Sequence, residues 1–234
     1  MKYNLLLILV FFIFGCSKEE KNYFPLEKIK TWNYSIEIEP EVEEKILYKT
    51  TSQSLGEKKV NHNNETFTVY PLLKENGTVL YYQNSNDGVY RNGIQFSKDS
   101  DIDFKMNERM VLPKPIKLGK KWDVESKTYL ILKRYPYYDY RATTNFKLIY
   151  EVISMSETIQ TPVGKFKNCL KIKGIGKTSF IGDSEIGSIG IDVLSEEWYA
   201  ENVGLIKMVR TEKTDTDLFG TTRMTQLLNN FSKR

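Results

Sequence analysis

From Thr31 onward, large apolar and polar side chains alternate along most of this chain. In "TWNYSIEI" (31–38), Trp32, Tyr34, Ile36 and Ile38 fall on one side and Asn33, Ser35 and Glu37 on the other, the period-2 signature of a half-buried strand. "ETFTVYPLL" (65–73), "GTVLYYQ" (77–83) and "GVYRNGIQF" (88–96) repeat it, separated by "ENG" and "SNDG". Those Asn-Gly and Asp-Gly pairs supply the positive φ angles that tight hairpins need. Further runs follow at 122–134, 144–160, 164–176, 186–200 and 203–214. The pattern predicts about ten or eleven strands and no long amphipathic helix. "RMTQLLNNF" (223–231) reads both ways, because Met224, Leu227, Leu228 and Phe231 have helical spacing; strand is the preferred assignment. "VLPKPIKLG" (111–119) holds two prolines and is expected to connect two sheet halves rather than to lie inside one. The expected fold is all-β, a strongly curved antiparallel sheet forming a half-barrel or open barrel, with little helix.

The N-terminus breaks the alternation. "LLLILVFFIFGCSKEE" (5–20) is an apolar run that ends at a glycine and a cysteine and turns charged. It is too short for a membrane span, which needs roughly 20 apolar residues. With Lys2 before it and a small residue at its end, it has the layout of a secretory signal. Ile13-Phe14-Gly15-Cys16 resembles the bacterial lipobox, which implies cleavage between Gly15 and Cys16 and acylation of Cys16 with diacylglycerol and palmitate. Such chains hold a protein on a bilayer through roughly 0.8 kcal/mol per buried methylene. Ser17 is not the aspartate that, by resemblance to enterobacterial lipoproteins, retains a protein at the inner membrane; the expected place is the outer membrane, facing the periplasm. The organisation expected is a signal over 1–15, a lipidated tether over 16–30 and a single β domain over 31–234.

Charge adds little beyond exclusions. There are 34 Lys and Arg against 30 Asp and Glu, interleaved along the chain, which predicts a solvated surface and no nucleic-acid partner. With Cys16 acylated, Cys169 has no disulfide partner; in its apolar setting it reads as a small buried hydrophobe. His62, the only histidine, stands in the loop-like "VNHNNET". One histidine and one free thiol make neither a zinc site nor a nucleophilic triad, so no cofactor or metal is expected. "KGIGKTSF" (173–180) resembles a phosphate-binding loop, yet Lys171 stands where that motif needs glycine and both flanks read as strand. Gly174 and Gly176 are expected in a hairpin turn or bulge. The acidic "EIEPEVEE" (37–44) reads as a solvated strand end and turn.

The best candidate for recognition is "RYPYYDYR", where Tyr135, Tyr137, Tyr138 and Tyr140 crowd between Arg134 and Arg141. Tyrosine joins a broad apolar face to a polar tip with little entropy to lose. The plainer alternative is an aromatic hairpin loop packed over the end of the sheet.

Three later segments, "PIKLGKKW" (115–122), "TPVGKFKNCLKI" (161–172) and "EEWYAENVGLIKMVR" (196–210), resemble a broad set of predicted bacterial lipoproteins of unknown function. Thr161, Lys165 and Glu201-Asn202 depart from the usual pattern. The resemblance covers the C-terminal half and implies a half-barrel similar to periplasmic lipoprotein carriers, with no enzyme activity. It further implies a tight turn at Pro162-Val163-Gly164, Phe166 and Leu170 facing a core, Trp198 and Tyr199 capping one side of the sheet, and Gly204 at a turn or bulge. Together these features predict a non-catalytic envelope lipoprotein whose concave sheet holds a lipid or acyl chain or an assembly partner. The alternatives are a filled-core protein that binds protein or glycan through aromatic loops, and an envelope glycan hydrolase built on two convergent carboxylates.

Overall fold

The computed structural model describes residues 21–41, 43–62, 65–134, 139–181 and 187–233. Fifteen strands occur among them and no helix. They are β1 (Lys30–Pro40), β2 (Ile46–Ser54), β3 (Lys58–His62), β4 (Glu65–Lys74), β5 (Val79–Asn84), β6 (Gly88–Gln95), β7 (Asp103–Pro113), β8 (Lys121–Lys127), β9 (Leu132–Arg134), β10 (Asp139–Arg141), β11 (Asn145–Thr161), β12 (Gly164–Ile181), β13 (Ser188–Ala200), β14 (Gly204–Thr214) and β15 (Thr221–Lys233). One antiparallel sheet runs in the order β7-β6-β5-β4-β2-β1-β15-β14-β13-β12-β11-β8, with β3 flanking β4; β9 and β10 form a separate hairpin.

The first and last strands meet in the middle of that order, where β1 pairs with β15 from Lys30↔Lys233 to Pro40↔Thr222. Two wings of neighbouring strands extend from this seam, and their outer edges, β7 and β8, are consecutive in sequence. That connectivity forces curvature. Twelve strands laid flat would separate the two edges by about 50 Å at roughly 4.8 Å per strand. The link from Pro113 to Lys121 spans at most about 28 Å when fully stretched. The sheet therefore rolls until the edges approach, and the Trp122 Nε1–H donates to the Met110 carbonyl at 3.3 Å. β7 and β8 share no ladder, so the half-barrel stays open along one side.

"VLPKPIKLG" is this connection, as its prolines predict: Pro113 ends β7, and the segment is tied to both wings by Lys114 N–H to the Asp87 carbonyl (2.7 Å) and Gly119 N–H to the Val152 carbonyl (2.9 Å). The inner face follows from alternation. Trp32, Tyr34 and Ile36 of β1, Trp122 and Val124 of β8, Phe146, Leu148, Tyr150 and Val152 of β11, and Ile189, Ile191 and Val193 of β13 are all buried.

"RMTQLLNNF" is strand, and a bulge explains its helical spacing. Asn33 pairs with Asn230 and Tyr34 with Leu228, so Asn229 is the extra residue. Met224 and Leu228 face inward before it, and the parity flip brings Phe231 opposite Trp32 after it.

Four expectations change. Gly174 and Gly176 lie in neither a turn nor a bulge but in unbroken ladder within β12, where Gly174 pairs with Tyr150 and with Ser195. They are glycines because the Phe146 and Tyr150 rings occupy the space beside them: a Cβ would come within 2.5 Å of Phe146 at position 176 and 2.8 Å of Tyr150 at position 174. Trp198 and Tyr199 do not cap one side. They are adjacent in a strand and point to opposite faces, with Trp198 outward between the Lys171 and Lys207 ammonium groups and Tyr199 inward. The run 122–134 is not one strand, because Glu212 captures the Tyr129 and Leu130 N–H groups and Thr128 bonds the Ala142 carbonyl. Finally, part of the expected tether is built into the body. Tyr23 and Leu26 are buried, the Phe24 ring meets Tyr82 at 5.0 Å, and Ser54 Oγ donates to the Leu26 carbonyl.

The hairpin at Pro162-Val163 is as expected, with Thr161 paired to Gly164, Leu170 fully buried and Phe166 packed against the core. Gly204 follows the β13–β14 turn with φ +100°. Cys169 is a free, fully buried thiol, and burial pushes its pKa up.

Candidate interior binding site

The interior is not filled. A cavity of about 290 Å³ is lined by aromatic and aliphatic side chains, among them Trp32, Tyr34, Leu72, Tyr82 and Val111, and by polar ones, among them Lys74, Arg91, Arg109 and Glu197. A second, of about 600 Å³, shares Arg91, Arg109, Glu197 and Met208 with the first. Its rim carries Glu108 and Arg109 of β7 on one side and Glu125, Ser126 and Lys127 of β8 on the other. The larger space is therefore the gap between the unpaired edge strands, and it leads inward to the aromatic-lined one. Both volumes fall around the range of small-molecule pockets.

One wall is cationic. In the row across β4 to β7, Tyr70 lies opposite Tyr82, Tyr82 opposite Arg91, and Arg91 opposite Arg109. Lys74 projects onto the same face and donates to Ser52 Oγ at 3.0 Å. Burial, and then the Arg91 charge, holds the Lys74 ammonium below the usual lysine range. The facing wall is built around Glu197, a carboxylate only 6 % exposed, on β13. It accepts from the Tyr150 hydroxyl at 2.6 Å and from the Tyr199 hydroxyl, and Tyr150 also reaches Ser195 at 3.3 Å. Burial first, and then the Glu197 charge, pushes both tyrosines far above the ordinary phenol pKa, so they stay neutral donors. Tyr150 is set in place by stacking on Trp122 (centroids 5.5 Å apart, 16° between planes) and by the space over Gly174.

Beyond this site, Arg210 and Glu212 form a second polar cluster. Arg210 Nη2 lies 2.8 Å from Glu212 Oε1, its guanidinium covers the Tyr129 ring at 4.5 Å, and Glu212 is completely buried. The carboxylate also takes the Leu130 N–H at 3.0 Å, which locks the segment after β8 against β14. This cluster is structural: every acceptor of Glu212 faces a donor of the chain itself. Among the described residues no group of His, Cys, Asp and Glu could hold a metal ion.

The residues singled out from sequence fall elsewhere. Gly15 and Cys16 lie outside the described residues, as do Tyr135, Tyr137 and Tyr138. Arg134 is in β9 and Tyr140 and Arg141 in β10, a hairpin paired Asp139↔Arg134, Tyr140↔Lys133 and Arg141↔Leu132. Arg141 is exposed and lines a different cavity, of about 330 Å³, with Glu43, Glu44, Tyr48 and Tyr129. Of the acidic run 37–44, Glu37 and Glu39 lie at the end of β1 and both pair with Lys45, while Val42 lies outside the described residues. Glu197, Lys74, Arg91 and Arg109 carry no motif. Their one signal is parity: in "SIGIDVLSEEWYA" Glu197 falls on the inward phase with Val193, Ser195 and Tyr199.

Comparison with known proteins is sparse. No protein-family description matches the chain, and no curated protein does. Among solved structures, a predicted exported protein with a YmcC-like fold from Bacteroides fragilis NCTC 9343 aligns over 91 % of this chain and 100 % of its own, at 13 % identity and TM-score 0.43. A predicted lipoprotein from Parabacteroides distasonis ATCC 8503 aligns over 91 % and 99 %, at 14 % identity and TM-score 0.42.

Proposed function

We propose that this chain is a non-catalytic lipoprotein of the cell envelope, anchored through acylated Cys16 at the outer membrane on the periplasmic side, whose concave sheet holds an apolar ligand. The observation that carries the ligand half is the aromatic-lined cavity inside an unclosed half-barrel, reached through a gap between two unpaired strands. A filled-core protein that works through its loops does not account for that space. The anchor half rests on the apolar run ending at Gly15-Cys16. The carboxylates of the interior do not favour hydrolysis: Glu197 is occupied by two tyrosine hydroxyls and Glu212 by Arg210 and backbone N–H groups.

Two measurements test the two halves. Full-length precursor expressed in a host with lipoprotein-processing enzymes should incorporate radiolabelled palmitate, and Cys16→Ser should abolish it; equal labelling of both would refute the anchor. Mass spectrometry of solvent extracts should find a long-chain lipid that co-purifies with the Cys16→Ser chain, and a clean extract from protein that also fails to take up added lipid would refute the cavity's role.

A further inference from the structure

Resting on that reading of the cavity, the division of the interior into two spaces names the shape of its ligand. We propose that the site takes an unbranched apolar chain, which runs from the gap between β7 and β8 through a waist into the aromatic-lined cavity, and that Met208 sets the width admitted there.

Shared walls and register carry the argument. The cavities of about 290 and 600 Å³ have four lining residues in common, Arg91, Arg109, Glu197 and Met208, so the boundary between them is built from these side chains. They come from both wings of the sheet. Arg91 and Arg109 stand directly opposite each other on β6 and β7, and Glu197 and Met208 do the same on β13 and β14. The two pairs meet across the interior: burial alone would lower the Arg109 pKa, yet the neighbouring Tyr150 and Glu197 hold it above the usual value. A molecule that occupies both spaces must therefore narrow as it passes between the walls. Glu197 cannot swing aside without giving up the Tyr150 and Tyr199 hydroxyls. Moving either arginine displaces a charge within a half-dry interior. Met208 is the soft member: it is half-buried against the small cluster of Ile36, Leu130 and Met224, and its unbranched thioether turns about three bonds. Beyond the waist, two of the aromatic side chains have no polar tip left to offer. The Trp32 Nε1–H donates to the Val203 carbonyl at 2.7 Å and the Tyr34 hydroxyl to the Leu205 carbonyl at 3.0 Å. What they present to a ligand is apolar surface, and a straight hydrocarbon brings that surface on a cross-section that stays slender along its length.

The test is calorimetric titration of the full chain carrying Cys16→Ser, so that no anchor lipid competes, with octanol, dodecanol, hexadecanol and a phenyl-tipped dodecanol. In the parent, affinity should keep rising from octanol to hexadecanol, by up to about fourfold for each added methylene that is buried. Met208→Trp fills the waist and confines the chain to one space, so octanol should bind as in the parent while the rise stops before hexadecanol. Met208→Ala widens the waist, so the phenyl-tipped alcohol should bind at least about tenfold tighter than it does to the parent. Melting curves establish that each variant is folded, and the alanine variant decides alone if the tryptophan one is not. A chain-length slope in Met208→Trp equal to the parent's, or an unchanged affinity of Met208→Ala for the ringed alcohol, would overturn the waist and leave the apolar ligand in place. Binding of none of the four alcohols to the parent would overturn both this proposal and the reading beneath it.

Discussion

Replacing Gly176 with alanine adds one methyl group and should destabilise the protein, although in most strands the same change helps. Removing a strand glycine ordinarily stabilises by roughly 0.5–1 kcal/mol, because glycine loses the most freedom on folding. Here the new Cβ would sit 2.5 Å from Phe146 Cε2, 2.7 Å from Phe146 Cδ2 and 2.8 Å from the Lys147 carbonyl oxygen. The ring has little room to retreat: Phe146 is 7 % exposed, and the Arg210 guanidinium stands 5.9 Å from its centroid. The carbonyl belongs to Lys147 of β11, which is held in register opposite Glu125 of β8. Overpacking of this kind costs about 1–3 kcal/mol. Set against the conformational gain, the net loss should be about 1–2 kcal/mol, or roughly a 2–8 °C fall in Tm for a chain of this size. Urea unfolding with an unchanged m value is the assay, run as a cycle with Phe146→Leu. In the Phe146→Leu background the alanine should cost clearly less, because the ring edge is gone. A Gly176→Ala protein as stable as the parent, or an equal cost in both backgrounds, would refute the packing argument.

Two further outcomes follow from the buried polar groups. Glu212→Ala strands the Arg210 guanidinium and two backbone N–H groups, so it should cost about 3–5 kcal/mol, whereas the double change Arg210→Met with Glu212→Leu should recover the part due to the guanidinium and leave the part due to the Tyr129 and Leu130 N–H groups; denaturant titration measures both, and a single-mutant loss under about 1 kcal/mol would contradict the assignment. Alkaline pH should destabilise the fold. Burial raises the pKa of Tyr34, Tyr82, Tyr150 and Tyr199 above the ordinary 10.0, so above pH 10 the unfolded chain releases protons that the folded chain keeps. Their stabilising contribution is complete below pH 10 and lost as pH climbs, by up to about 1.4 kcal/mol per unit for each group. Phenolate absorbance tracked beside unfolding should show these four ionising only as the fold opens; ionisation near pH 10 in the native state would refute their burial.

Much of the fold is legible in the sequence because period-2 alternation is a local signal that survives in every long strand. Trp32, Tyr34 and Ile36 announce the inner face of β1, and "ENG" and "SNDG" announce the turns from β4 to β5 and from β5 to β6. What escapes is non-local. Nothing in "RMTQLLNNF" says that it pairs with the first strand, and the Asn229 bulge disguises its parity. Gly174 and Gly176 look like a turn because the rings that occupy their space are contributed by β11, more than twenty residues away. The site is harder still to read. Lys74, Arg91, Arg109 and Glu197 come from four strands on two wings, and each alone resembles an ordinary surface charge. Only the register of the sheet reveals that they share an interior.

The unpaired flank has a mechanical consequence. Elsewhere around the sheet, widening would break ladder pairing between neighbouring strands; between β7 and β8, among the described residues, the contact in the way is the indole hydrogen bond to the Met110 carbonyl. The short segment after Pro113 ties both flanks together at one end, so it acts as the spring of a clothes peg, with the jaws at the far end, where Glu108 and Lys127 line the same gap. Girth in such a body is adjustable at small energetic expense, because the two flanks can part while the hydrogen-bonded wall stays intact.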